Sequence, residues 1–202
     1  MSAILEEQLA TNLYYDQHFN CEAAKLLPGE YYYTSKQMLL VTVLGSCVAA
    51  CIRDRVKGIG GMNHFMLPES GGDPGNPLST SMRYGAYAME MLINELLKAG
   101  ARREHLEAKV FGGGNVLRGV TSINVGERNA RFVRDYLRAE NVPILAEDLN
   151  DIHPRKVYFF PHTGKVLVKK LKQQHNDTVQ KRERDYARRL NIHPVDGDVD
   201  LF

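Results

Sequence analysis

The sequence lacks several features that would assign it to a familiar class of protein. It has three cysteines, an odd number, which argues against the disulfide framework of small secreted domains. Its first residues contain neither the basic segment nor the apolar core of a secretory leader, and no stretch approaches the ~18 apolar residues of a membrane span. We therefore expect a cytoplasmic protein that does not insert into a membrane.

A strong charge of one sign and the common ligand-binding motifs are missing as well. The 26 basic and 24 acidic residues leave a net charge of +2, which gives no argument for nucleic acid as a partner. The glycine run at 112–114 is not part of a G-x-x-x-x-G-K-[ST] nucleotide motif. Cys47 and Cys51 are four residues apart, but no second cysteine pair completes a zinc site. Neither a metal nor an organic cofactor is expected.

What is present predicts one α+β domain. Helical spacing predicts a short helix through Leu5, Leu9 and Leu13, a helix at 81–99 and a helix from an N-cap at Asn124 to about 140. Apolar and β-branched runs predict strands near 31–34, 38–52 with a break at Gly45 and Ser46, 59–67, 106–111, 142–147, 156–160 and 165–171. This order favours a layered α/β sandwich with a mixed, largely antiparallel sheet and two main helices.

Composition divides the chain into three expected parts. Residues 1–35 are mixed in character and are expected to form an N-terminal extension, and residues 36–172 contain the predicted sheet and helices. Residues 173–202 are highly charged, which indicates a mobile tail or an isolated helix.

The chemically informative segment is 42–68. If the strands on either side of a tight turn at Arg55 and Val56 form a hairpin, Cys47 lies directly opposite His64. Opposed residues project from the same sheet face with Cβ atoms about 4.5–5.5 Å apart, which is close enough for a thiol–imidazole contact. The alternative is that Cys47 only fills the core and that His64 is a hydrogen-bonded strand residue.

A thiol beside an imidazole suits nucleophilic attack on an amide. Only the thiolate is a strong nucleophile, and an imidazole can take the thiol proton and later give it to a leaving amine. Backbone amides at Gly45 and Ser46 could stabilise an oxyanion. Thr42 could orient the imidazole by accepting a hydrogen bond, or it could be an ordinary strand residue with a satisfied hydroxyl. Cys51 is interpreted either as a core residue or as a residue that supports the site from behind.

Six blocks of the sequence resemble the chemoreceptor glutamine deamidases of the CheD family. They span roughly 38–171 and read LGSCVAACIRD at 44–54, GGMNHFMLP at 60–68, EAKVFGGG at 107–114, NVGERN at 124–129, LAED at 145–148 and TGKVLVK at 163–169. The resemblance implies a layered fold like that of bacterial toxin deamidases. It also implies hydrolysis of glutamine side-chain amides on the cytoplasmic helices of chemoreceptors, giving glutamate and ammonia.

The resemblance further implies a Cys–His–Thr triad, which corresponds to Cys47, His64 and Thr42. In some members the threonine lies one residue further from the cysteine, at the position of Val41 here. Some members also bind the CheC phosphatase, and the resemblance leaves open whether this chain does. Two other functions stay open at this point: a thiol peptidase or transglutaminase-like enzyme, and a non-enzymatic adaptor that binds receptors or a phosphatase.

Overall fold

The computed structural model describes residues 8–68, 80–116, 125–171 and 176–192. Within these ranges the helices are α1 (Thr80–Lys98), α2 (Val125–Ala139) and α3 (Asn176–Ile192), and a short 3-10 turn lies at Arg103–His105. The strands are β1 (Gln8–Leu9), β2 (Asn12–Asp16), β3 (Cys21–Leu26), β4 (Glu30–Thr34), β5 (Leu39–Leu44), β6 (Val48–Asp54), β7 (Gly60–His64), β8 (Leu106–Gly112), β9 (Ile144–Leu149), β10 (Arg155–Phe160) and β11 (Lys165–Lys170). The predicted strands and the two main predicted helices, which correspond to α1 and α2, are confirmed within a few residues.

The strands form two mixed sheets. Sheet A has the order β1-β4-β7-β6-β8-β9, and sheet B has the order β11-β10-β5-β3-β2. Most neighbouring strands are antiparallel, whereas β1 with β4, β8 with β9 and β3 with β5 are parallel. The α+β sandwich is therefore confirmed, with a second sheet and a third helix beyond the two main helices that the sequence predicts.

Sheet A is the middle of three layers. Its central strand β6 is buried on both faces, and α1 and α2 pack on the side away from sheet B. Consecutive side chains of β7 show the two environments, because successive strand residues point to opposite faces. Asn63 donates to the carbonyl of Ala88 in α1, at 3.1 Å, whereas His64 reaches Thr42 of sheet B. His64 therefore lies between the sheets.

The N-terminal residues are part of this sandwich. The predicted helix through Leu9 and Leu13 is wrong, since β1 and β2 are strands there, and Leu5 lies outside the described residues. β4 pairs with β7 in sheet A and β3 pairs with β5 in sheet B, so residues 8–34 flank the strands that carry His64 and Thr42.

The β6–β7 hairpin has a different register from the predicted one. Asp54 and Ile59 close a four-residue turn, Ile52 pairs with Gly61, and Val48 forms a bridge with Phe65. This register places Cys47 opposite residue 66 and two positions from His64. Because a shift of two residues keeps every side chain on its face, both still point between the sheets as diagonal neighbours.

Helices long and apolar enough to cross a membrane are not found among the described residues. The N-cap predicted at Asn124 lies outside those residues.

The carboxylate of Asp54 fixes the hairpin turn and is fully buried. It accepts hydrogen bonds from the backbone amides of Val56, Lys57 and Arg102 at 2.8–2.9 Å. We expect Asp54→Ala to lower the free energy of unfolding by about 2 kcal/mol, because it leaves these donors without their acceptor. Urea unfolding would measure the loss. Asp135→Ala, which removes an exposed carboxylate from α2, is the matched control and should change stability little; equal effects would contradict this role for Asp54.

Candidate active site

Thr42 and His64 form a hydrogen bond between the two sheets. The Thr42 hydroxyl lies 2.7 Å from His64 Nδ1 and 2.9 Å from the carbonyl oxygen of Leu26. A hydroxyl has one proton, and a carbonyl can only accept, so Thr42 donates to Leu26 and accepts from Nδ1–H. This network assigns the tautomer: Nδ1 carries the proton and Nε2 carries the lone pair.

The neighbouring residue in β5 cannot take this place. Val41 points to the outer face of sheet B, where it packs with Ala23 and Leu39 in a separate small cluster. Only Thr42 of these two residues faces His64, because successive strand side chains alternate between faces.

The imidazole of His64 lies close to the Cys47 thiol. Nε2 is buried and has no hydrogen-bond partner among the described residues. A ring nitrogen of His64, Cys47 Sγ and a carboxylate oxygen of Glu183 all lie within 4.8 Å of one another. Burial lowers the pKa of His64 from its ordinary 6.5 to about 3, outweighing the opposite effect of the Leu26 carbonyl. The imidazole is therefore neutral, with one ring nitrogen unprotonated.

Three consecutive backbone amides beside the thiol point at one place. Gly45 N–H and Cys47 N–H donate to Oε1 of Glu183 at 2.8 and 3.0 Å, and Ser46 N–H donates to Oε2 at 2.7 Å. The Ser46 hydroxyl adds a fourth hydrogen bond to Oε2 at 2.6 Å. Gly45 and Ser46, predicted as oxyanion donors, thus lie with Cys47 in a concave cluster of donors of the kind that binds anions.

The carbonyls of the same segment are fixed on its opposite side. Gly114 N–H donates to Gly45 O at 2.7 Å, Asn129 Nδ2 donates to Ser46 O at 2.9 Å, and Gly113 N–H donates to Cys47 O at 2.8 Å. In a planar trans peptide, the C=O and the following N–H point in opposite directions. Holding the carbonyls of Gly45 and Ser46 therefore aims the N–H groups of Ser46 and Cys47 at the anion position.

The glycine run at 112–114 makes this arrangement possible. Gly112 has φ +106°, and a Cβ there would lie 2.2 Å from the Cys47 carbonyl oxygen. Any side chain would push the two segments apart, so the run serves close backbone approach rather than phosphate binding. The fully buried Arg155 stabilises the glycine run by donating a hydrogen bond to Gly112 O at 3.1 Å.

Comparisons with known proteins show the family of the chain. The family profile described as CheD chemotactic sensory transduction matches residues 66–170, just over half of the chain. A probable chemoreceptor glutamine deamidase CheD of Thiobacillus denitrificans is 78% identical over 202 residues, 100% of both chains. The chain belongs to the CheD family.

Other CheD relatives extend the similarity over the residues before 66, which include Cys47 and His64. A protein of the same name from Janthinobacterium sp. strain Marseille is 70% identical and covers 100% of both chains. A probable chemoreceptor glutamine deamidase CheD 1 of Shewanella oneidensis is 59% identical over 191 residues, covering 95% of this chain and 93% of its own.

Cys47, His64 and Glu183 are also the one group among the described residues with the side-chain types and spacing of a metal site. The hydrogen bonds argue against that use in this arrangement. A carboxylate has about four acceptor positions, and two donors to each oxygen of Glu183 occupy them. The cluster is better described as a thiol, a base and a carboxylate held by amides.

Two residues of this CheD site were not among those the sequence singled out as catalytic or oxyanion-binding. Asn129 is fully buried and joins Ser46 O to Leu67 N, which donates to its Oδ1 at 3.0 Å. It belongs to NVGERN, one of the six blocks that carry the family resemblance. Glu183 lies in the charged C-terminal segment, and the available signal was its place in an apolar helical stripe with Val179, Tyr186 and Leu190. Cys51 is buried as expected, and burial raises the pKa of its thiol.

The lowered pKa of His64 predicts a pH-dependent stability. Between about pH 6.5 and pH 3 the unfolded chain binds a proton at His64 and the folded chain does not, so stability falls as pH decreases through this window. His64 alone should contribute a slope of up to about 1.4 kcal/mol per pH unit. Unfolding free energies measured at pH 7, 6 and 5 should fall less steeply for His64→Gln. Thr163→Ala, at an exposed turn and without a titratable side chain, should keep the wild-type slope; an unchanged slope in His64→Gln would refute the assignment.

Proposed function

We propose that the protein is a protein-glutamine deamidase that hydrolyses glutamine side-chain amides on chemoreceptor cytoplasmic helices. The proposal rests chiefly on one observation: three backbone amides and a hydroxyl converge on a carboxylate within 4.8 Å of the Cys47 thiol. The names of the CheD relatives identify the same activity in those proteins. Chemoreceptors as substrates and the cytoplasm as the place of action are parts of the proposal.

The reaction begins with proton transfer from Cys47 to His64. Nε2 is the nitrogen that can accept this proton, because Nδ1–H is already donated to Thr42. The sulfur attacks the carboxamide carbon of glutamine, and the amide oxygen takes up negative charge in the cluster formed by Gly45, Ser46 and Cys47. Donors already oriented there stabilise the developing charge without reorganising.

The second half of the reaction uses the same groups. His64 gives its proton to the amide nitrogen, the C–N bond breaks and ammonia leaves. A thioester joins the substrate carbon to Cys47. Water, deprotonated by Nε2, attacks this carbon, the C–S bond breaks and the thiol regains its proton. The net change is glutamine plus water to glutamate plus ammonia.

The other functions are separated by their products. A thiol peptidase would cleave the receptor chain, and a transglutaminase-like enzyme would join two chains. A non-enzymatic adaptor would bind receptors without changing their mass. Binding of a CheC-type phosphatase remains a prediction that is compatible with the deamidase.

Intact mass spectrometry of a purified chemoreceptor cytoplasmic fragment tests the reaction. We expect a gain of about one mass unit per modified glutamine, with no cleavage or cross-linking. Cys47→Ala and His64→Ala should each lower the rate by at least about a thousandfold, since they remove the nucleophile and the base. His162→Ala is the matched histidine control and should retain activity. Conversion by both the Cys47 and His64 variants would exclude this site.

Variants of Thr42 test whether it positions the imidazole. Thr42→Val removes the acceptor for Nδ1–H, and we expect kcat/KM to fall about 10- to 100-fold because the tautomer is no longer fixed. Thr42→Ser keeps the hydroxyl and should restore activity to within about threefold of wild type. The same receptor assay measures both. A serine variant as slow as the valine variant would indicate a packing role for the methyl group instead.

A further inference from the structure

Helix α3 places the carboxylate of Glu183 where the proposed reaction develops negative charge. Four residues of α3 form one buried stripe at spacings of four, three and four: Val179, Glu183, Tyr186 and Leu190. Such spacing is the inward face of an amphipathic helix. Most of the side chains between these four residues are charged. The segment expected as a tail or an isolated helix is therefore docked on the active site.

Contacts of Tyr186 and Leu190 hold α3 on the C-terminal side of Glu183. Tyr186 is buried, its hydroxyl meets that of Tyr84 in α1, and its ring packs against the backbone at Gly29. Leu190 joins the main core. These contacts join α3 to the strand-turn segment at Gly29 and to helix α1.

The helix also forms one wall of the cleft that leads to His64. Val179, Arg182 and Glu183 line it on one side, and Leu27 and Val43 lie on the other. Cys47 itself is fully buried. A substrate glutamine can reach the sulfur only after part of the structure moves, and α3 is the element whose carboxylate occupies the donor cluster.

The negative charge of Glu183 is compensated by backbone amides and a hydroxyl. Among the residues the structure describes, lysine and arginine side chains form no ion pair with this carboxylate, although it is 1% exposed. A buried carboxylate is costly unless hydrogen bonds satisfy it. Here the donors that satisfy it are the three amides and the Ser46 hydroxyl, the groups that would hold the oxyanion.

Glutamate is also the product of glutamine deamidation. A glutamine in place of Glu183 would have the same number of methylene groups and would bring its amide carbon to the position of this carboxyl carbon. We infer that α3 is a built-in, product-like occupant of the groove that receives the substrate helix, and that it keeps the enzyme closed until a glutamine-bearing helix displaces it. This inference rests on the proposed function.

The stripe on α3 also defines the substrate class. Relative to Glu183, apolar side chains lie at positions −4, +3 and +7: Val179, Tyr186 and Leu190. A competing segment would be an amphipathic helix with its glutamine inside the apolar stripe and apolar residues at these positions. A glutamine in an extended or polar segment would lack the contacts that replace those of α3.

Alkylation of Cys47 by iodoacetamide, mapped by peptide mass spectrometry, tests whether α3 closes the site. We expect Glu183→Ala to raise the alkylation rate at least about tenfold, since modification of a buried thiol requires local opening. Asp185→Ala removes an exposed carboxylate from the same helix and should match wild type. Equal rates in the wild type and Glu183→Ala, with both folded by circular dichroism, would overturn the inference.

Glu183→Gln tests the product-like geometry in the full chain. We expect its intact mass to rise by about one unit as Cys47 hydrolyses the new glutamine, and Glu183→Gln combined with Cys47→Ala should stay unchanged. If the glutamine variant converts a receptor fragment but not itself, α3 does not occupy the substrate position.

The outcomes also separate the two proposals. Receptor conversion that is no faster in Glu183→Ala than in wild type would overturn closure by α3 and leave the deamidase standing. Faster alkylation in Glu183→Ala, with no conversion of either the receptor or Glu183→Gln, would overturn the deamidase and leave α3 as the helix that covers the thiol.

Discussion

The site depends on the orientation of two peptide planes, those joining Gly45 to Ser46 and Ser46 to Cys47. Backbone of the glycine run and the amide of Asn129 hold their carbonyls, and planarity then turns their N–H groups the other way. The remaining features follow from this constraint. Gly112 must lack a side chain so that its backbone can approach the Cys47 carbonyl. The buried Arg155 donates to the Gly112 carbonyl at this approach. Helix α2 must begin where the side chain of Asn129 can reach Ser46.

Cys47, His64 and Thr42, the proposed catalytic residues, come from different parts of the sandwich. His64 is on β7 of sheet A, Thr42 is on β5 of sheet B, and Cys47 lies in the break between β5 and β6. Packing the sheets face to face is therefore what brings the imidazole to its hydrogen-bond partner. The same packing removes water from the imidazole, which lowers its pKa and keeps it neutral as a base.

Local patterns in the sequence predicted a good part of this arrangement. The break at Gly45 and Ser46 and the thiol–imidazole pairing were accessible because they lie within one hairpin. The register was wrong by two residues, since Asp54 selects a four-residue turn, yet the even shift preserved the shared face. Glu183 could not be placed, because it lies 136 residues from Cys47 in sequence and docks through packing that no local pattern encodes. The N-terminal strands were missed for a similar reason, as a recurring leucine spacing indicated a helix where sheet pairing prevailed.

The covalent connection of α3 to the domain has a quantitative consequence. A segment tethered beside its own binding groove acts at an effective concentration of about millimolar, whatever the concentration of the protein in solution. A free helix of similar affinity can therefore displace α3 only where its own local concentration is comparably high. The activity of the enzyme would then depend on the density of its targets. It would be low toward isolated targets and higher where many targets are clustered.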